Sequence, residues 1–396
     1  MPYNFDQIID RRHTNSVKWT AYPADVLPMW VADMDFAAPP PILDALRRAV
    51  DHGVLGYEFP HRALLEAVAG RMEHLYGWHV DPDAVIAVPG LVTGFNIAAA
   101  IVSSPGDGIL MQPPVYFPFF KVSENLGLVQ QDAPLQVVKE QHTLRYEVDF
   151  TVFEQAIHSQ GARTKTFLLC NPHNPTGNAY DQATLERMAE IALREGMLIC
   201  SDEIHSELLL GDTRHIPIAA LSPDIEAQSV TLIAASKTFN VAGLFTGFAI
   251  VPDPELRARY KHEVERLTLH TNSLGQIAAE VAFSGACDDW LEELKAYLTA
   301  NRDLVVSFVR EALPGIRTTV PEATYLAWLD FGDWMRERGI SGSPHEFLLR
   351  EGKVALNEGA AFGAGGEGFV RLNFGCPRPL LEEGLERIAR AVRQYR

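Results

Sequence analysis

The sequence predicts an α/β protein, with a mostly parallel central sheet in a large domain and a smaller α+β domain at the C-terminal end. Three observations predict it. From about residue 85 to 251, short β-rich apolar runs alternate with helical patterns, the signature of strands joined by crossover helices. Beyond residue 280 the pattern changes to two long helical stretches enclosing a few isolated strands. The chain of 396 residues also exceeds what a single ordinary core supports.

The elements follow in order. The first 50 residues, rich in Pro and Trp ("YPADVLPMWVADMDFAAPPP"), read as an extended N-terminal arm with little regular structure, packed on the small domain. Residues 51–280 form the large domain. Its strands are "AVIAV", "GILMQ", "KTFLLC", "MLICSDE", "VTLIAA" and "GFAIV"; "ATLERMAEIALREG" (183–196) is an amphipathic helix between two of them. A long helix near 253–269 precedes the small domain, 281–396. There, helices around 288–312 and 379–394 enclose the strands "TYLAWLDF", "KVALN" and "GFVRLNFG".

Bulk composition narrows the function. With 47% hydrophobic and 21% charged residues the chain is an ordinary globular one. Its 34 Lys and Arg against 51 Asp and Glu give a net charge of −17, and no basic block is present, which argues against a nucleic-acid partner or an anionic membrane surface. The longest apolar run, "FNIAAAIV", is too short to span a bilayer, and the first residues contain no apolar leader core. The four cysteines are far apart and mostly sit in apolar runs, as core thiols of a reducing compartment would. A cytoplasmic protein without a metal site is expected.

Chemistry gathers after the strands. "NPHNPTG" follows "KTFLLC", "SDEIH" closes "MLIC" and "ASK" closes "VTLIAA". Ligands of parallel sheets bind beyond the carboxyl ends of the strands, so Asn174, Asp202 and Lys237 are expected on one rim. An amide, a carboxylate and an amine together suit pyridoxal 5'-phosphate. That cofactor needs an amine to join its aldehyde, an anion to keep its pyridine nitrogen protonated and a donor to its phenolate oxygen. The turn "PGLVTGF" leads from a strand into a helix, so amides around Gly90, Val92 and Thr93 would offer an anion the positive end of a helix dipole.

With these motifs the chain resembles the fold-type I pyridoxal-phosphate enzymes of the aminotransferase class I/II superfamily, within the branch of cystathionine β-lyases and related carbon–sulfur lyases. The likeness runs from "LPMWVADMDF" through "QPPVYFPFF", "NPHNPTG", "SDEIHSEL" and "SKTFNVAGL" to "GGEGFVRLNFGCPR". It implies that Lys237 is the Schiff-base lysine and moves the substrate Cα proton. Asp202 pairs with the pyridine nitrogen, Asn174 with the phenolate oxygen, and Tyr116 stacks on the ring. His205 adjusts the phenolate side, Ser236 reaches the phosphate, Arg371 holds the α-carboxylate of an amino-acid substrate, and the backbone near Ala32 lines that carboxylate. Tyr57, in "LGYEFP", would reach the phosphate in the neighbouring subunit of a homodimer.

The implied activity is β-elimination from S-substituted L-cysteines such as cystathionine. Transamination shares every cofactor residue, and decarboxylation or oxidation of the same carbanion uses the same fold. A regulatory protein that merely kept the fold would have no need for Lys237, Asp202, Asn174 and Arg371 together. Phe245 stands where many aminotransferases carry a phosphate-binding arginine, "PGLVTGF" lacks a more usual Val-Pro pair, and Glu358 occupies a frequent proline position. These departures bear on the substrate, which makes Phe245 a candidate substrate-contacting residue.

Overall fold

A computed structural model of the chain describes residues 3–395. Its centre is a seven-stranded sheet whose spatial order is Val85–Val88, Gly247–Ile250, Ser229–Ile233, Leu198–Asp202, Thr164–Cys170, Gly108–Met111 and Val129–Asp132. All pairings are parallel except those of Gly247–Ile250, which runs antiparallel to both neighbours. The inner strands are buried on both faces, which is why they read as unbroken apolar runs rather than alternating ones. One hydrophobic cluster, around Phe95, Phe119 and Leu232, packs on one side of the sheet. A second, around Phe153, Phe167 and Met188, packs on the other.

Crossover helices begin and end where local chemistry directs. Gln182–Glu195 starts at Asp181, whose carboxylate accepts the Thr184 amide at 2.8 Å, and stops at Gly196 in the left-handed conformation. A six-stranded sheet forms a second layer, ordered Asn357–Glu358, Phe369–Asn373, Leu326–Asp330, Arg317–Thr319, Thr143–Glu147 and Gln136–Lys139. The helices Asp288–Ala312 and Arg378–Arg393 lie where periodicity put them.

Three expectations are corrected. The N-terminal arm is not free of regular structure: Pro40–His52 is a helix that packs on Ser273–Phe283, and Leu27–Pro28 pairs in parallel with Val354–Ala355. Prolines at the first helical positions are compatible with a helix start, since their missing N–H groups would have no intrahelical partner. The hairpin 136–147 lies within residues 51–280 yet extends the second sheet, with Thr143 and Leu144 opposite Thr318 and Thr319. "KVALN" divides: its first part pairs with the arm and its end with Phe369–Asn373. Among the described residues no helix is long and apolar enough to cross a membrane.

Candidate active site

Strand register assembles the site. Cys170 lies opposite Asp202, and Asp202 opposite Leu232, so the segments leaving these three adjacent strands emerge along one edge. There they border a cavity of about 500 Å³ lined by Ala32, Gly90, Val92, Thr93, Tyr116, Asn174, Asp202, His205, Ser236, Lys237, Phe245 and Arg371. Arg371 comes from the second sheet, on Phe369–Asn373. Tyr57 lies outside the cavity, fully exposed on the stretch with Val54, Leu55 and Phe59.

Lys237 donates from Nζ to the Ala32 carbonyl at 2.7 Å. Burial, and then the Arg371 charge, lower its pKa to about 8 against the pull of Asp33 and Asp202. Asp202 is 5% exposed, and its carboxylate accepts the Ile204 amide at 3.2 Å. Burial lifts its carboxyl to about 7 in spite of that bond and of Lys237. His205 is held neutral, chiefly by burial and then by Lys237 and Arg371, and its Nδ1 is buried without a partner. Burial and then the Asp202 charge raise the Tyr116 phenol to about 12, so it stays protonated.

The Arg371 guanidinium is 3% exposed. It donates to Asn174 Oδ1 at 2.8 Å, the Trp30 carbonyl at 2.9 Å and Asn357 Oδ1 at 2.5 Å. Of its five N–H bonds two remain, and Nε is among them, buried and unpaired. Asn174 spends its oxygen on Arg371, which orients its amide nitrogen as a donor.

The anion cradle differs in one detail from its sequence expectation. Gly90 donates its amide to the Val88 carbonyl at 2.8 Å, so that N–H is not free for an anion. Its contribution is conformational: at φ +92° and ψ 153° it turns the chain into the helix Leu91–Ala100, a geometry that side-chain-bearing residues rarely adopt. The amides of Val92 and Thr93 then lie in the first turn, where no intrahelical acceptor exists. Phe245, at φ +47° and 68% exposed, stands on this side: a Cβ on Gly90 would lie 4.0 Å from its ring.

Sequence reasoning missed Val17, Trp30, Cys170 and Asn357, which also line the cavity. Cys170 had a strand-end position as its only signal and was taken as a core thiol. Asn357 precedes the noted Glu358, while nothing local marks Val17.

A buried carboxylate lacking a cation, an amine near pKa 8, unpaired nitrogens on His205 and Arg371, and free first-turn amides fit pyridoxal 5'-phosphate with an amino-acid substrate. Fold and site thus define a fold-type I pyridoxal-phosphate protein. Residues 24–388 match the family described as aminotransferase class I and II, and the chain belongs to it. It is similar to cystathionine beta-lyase PatB of Bacillus subtilis strain 168, with 39% identity over 396 residues, covering 98% of this chain and 100% of PatB. The crystal structure of cystalysin from Treponema denticola, which contains pyridoxal 5'-phosphate, aligns with a TM-score of 0.92 at 29% identity, covering 100% of both chains. The PLP-bound C-S lyase from Staphylococcus hominis aligns with a TM-score of 0.91 at 29% identity, covering 99% of this chain and 98% of that one.

Proposed function

We propose that the chain is a pyridoxal-phosphate-dependent carbon–sulfur β-lyase that converts S-substituted L-cysteines to pyruvate, ammonia and a thiol. The observation that carries the reading is the convergence of Lys237, Asp202, Asn174 and Arg371 on one cavity in a chain similar along its whole length to a cystathionine β-lyase.

Arg371 binds the substrate α-carboxylate through its guanidinium, a charge-assisted contact strengthened by burial. With its pKa lowered to about 8, Lys237 is neutral in about a tenth of molecules at pH 7 and about half at pH 8, so its Nζ can take the Cα proton. When bound, pyridoxal phosphate supplies the conjugated ring that withdraws the electron pair left on Cα. Asp202 would hold the ring nitrogen and regain its ionised carboxylate against that positive charge. Asn174 would donate from its amide to the phenolate oxygen, and neutral His205 would keep a second positive charge away. Tyr116 would cover a ring face. The Val92 and Thr93 amides and the Ser236 hydroxyl would hold the phosphate. Sulfur would leave Cβ as thiolate with the Cβ–S bonding pair and take up the proton that Lys237 Nζ had accepted, and water would hydrolyse the remaining three-carbon enamine to pyruvate and ammonia.

Two copies of the chain complete the site, with exposed Tyr57 of each reaching the phosphate of the other. The test is incubation with cystathionine and S-alkyl cysteines while pyruvate, thiol and keto acid are followed. Pyruvate and thiol in equal amounts are expected, and Lys237→Ala abolishes both along with the borohydride-sensitive visible band. Keto acid without thiol would instead identify a transaminase, and no thiol from any substrate would end the lyase reading.

A further inference from the structure

Seven residues of the N-terminal arm, Trp30–Phe36, form a strap that borders the cavity at Trp30, Val31 and Ala32, and six of its seven backbone carbonyls, all but that of Asp35, accept from a side chain of the site or its surroundings. Arg371 donates to Trp30 and Asn373 to both Val31 and Asp33. Lys237 and Tyr325 both donate to Ala32, at 2.7 and 2.8 Å. Asn240, three residues after Lys237, donates to Met34 and Phe36 and accepts the Met34 amide.

The outer side of the strap is pinned by charge. Asp35, 4% exposed, accepts Lys18 Nζ at 2.6 Å, Arg11 at 2.7 Å and the Trp19 indole at 2.8 Å. Lys18 is itself 1% exposed, and it also donates to the Asp33 carbonyl at 3.2 Å. A lysine so buried is rare unless paired. Its neighbour Val17 stands at the cavity wall. Replacing a buried ion pair by apolar packing is often neutral or stabilising, so a pair anchored on Asp33, the residue after Ala32, points to a role other than stability.

We propose that Lys18 and Asp35 are positioning residues for Lys237: their buried ion pair clamps the strap so that the Ala32 carbonyl holds the Lys237 amine. The proposal rests on the assignment of Lys237 as the reactive amine. Around that amine stand Asp202 and His205 from the central-sheet edge, Arg371 and Tyr325 from the second-sheet side, and Asp33 from the strap itself. Loosening the clamp exchanges one carbonyl acceptor for water and relieves the burial that is the largest influence on Lys237. The amine then moves towards ordinary lysine behaviour.

The test reads the amine directly rather than turnover. Full-length protein freed of cofactor is acetylated with an N-hydroxysuccinimide ester from about pH 6 to about pH 10, and Lys237 modification is followed by peptide mass spectrometry. Wild-type labelling, normalised to its own plateau, should rise with a midpoint near pH 8. In Lys18→Met and Asp35→Asn the midpoint should rise by about one pH unit, which lowers normalised labelling at pH 8 about fivefold. Lys18→Arg should recover part of the wild-type curve. Lys139→Met, which breaks the pair with buried Asp330 in the second sheet, serves as the control for general loosening. An unmoved or lowered midpoint in Asp35→Asn, or an equal rise in Lys139→Met, would overturn the proposal; should Lys18→Met not fold, Asp35→Asn decides. Failure of the lyase reading shows separately, as absence of thiol from the wild-type protein.

Discussion

Asp202→Asn should stabilise the cofactor-free protein at alkaline pH while abolishing its chemistry. Burial lifts the folded carboxyl from 3.8 to about 7. Between those values the folded state binds more protons than the unfolded one, so stability falls as pH rises through that window and the penalty is complete above it. Three pKa units at 1.36 kcal/mol each amount to about 4 kcal/mol. About 2 kcal/mol of this has developed by pH 5 and about 4 kcal/mol by pH 8. Asparagine keeps the size and the acceptor for the Ile204 amide but has no proton to lose.

Urea unfolding of the two cofactor-free proteins at the two pH values measures the effect. The advantage of Asp202→Asn over wild type should grow by roughly 2 kcal/mol from pH 5 to pH 8. Adding pyridoxal phosphate at pH 8 should reverse the order, because the ring cation then compensates the wild-type carboxylate. An advantage that does not change with pH, or that shrinks, would show that Asp202 ionises without strain and that its surroundings do not await a cation.

Arg371→Lys should raise KM for the amino-acid substrate by about a hundredfold while leaving the cofactor band in place, since an ammonium cannot reproduce the two-pronged carboxylate contact; steady-state kinetics with spectra of the holoenzyme check both. Gly90→Ala forces a side chain into φ +92°, at a cost of about 1–3 kcal/mol, and should weaken cofactor retention with little change in KM, as measured by equilibrium dialysis. Tyr57→Phe should also loosen cofactor retention. Mixed dimers of Tyr57→Phe with Lys237→Ala, formed after dissociation and reassembly, should contain one site free of both changes; sites made within a single chain would give no such recovery.

The site was legible in sequence where function sits at strand ends. Asn174, Asp202 and Lys237 each follow a run that is apolar on both faces, and such runs can be recognised without knowing their partners. Legibility failed where pairing, not pattern, decides structure. Gln136–Lys139 is mostly exposed and Thr143–Glu147 alternates, so the hairpin fits any open edge; its assignment to the second sheet depends on Thr318 and Thr319, far away in the chain. Pro40–His52 was hidden by its prolines, although the helix that follows places Ile42 and Ala45 inward. The strap has no side-chain signature on its inner face, because its contacts are carbonyls.

Phe245 lines the cavity that holds Lys237 and Arg371, and its ring also stands beside Gly90 at the proposed anion cradle. The charged groups lining the cavity are Lys237, Arg371 and Asp202, and none belongs to the Leu91–Ala100 turn. A phosphate there meets amide dipoles and hydroxyls within one chain, with no cation from position 245. Under the proposed dimer, such a cradle would depend more heavily on the geometry that Gly90 sets and on a donor from outside the chain. That dependence makes physical sense of a fully exposed Tyr57 on an apolar surface stretch, a position with no evident use in an isolated subunit.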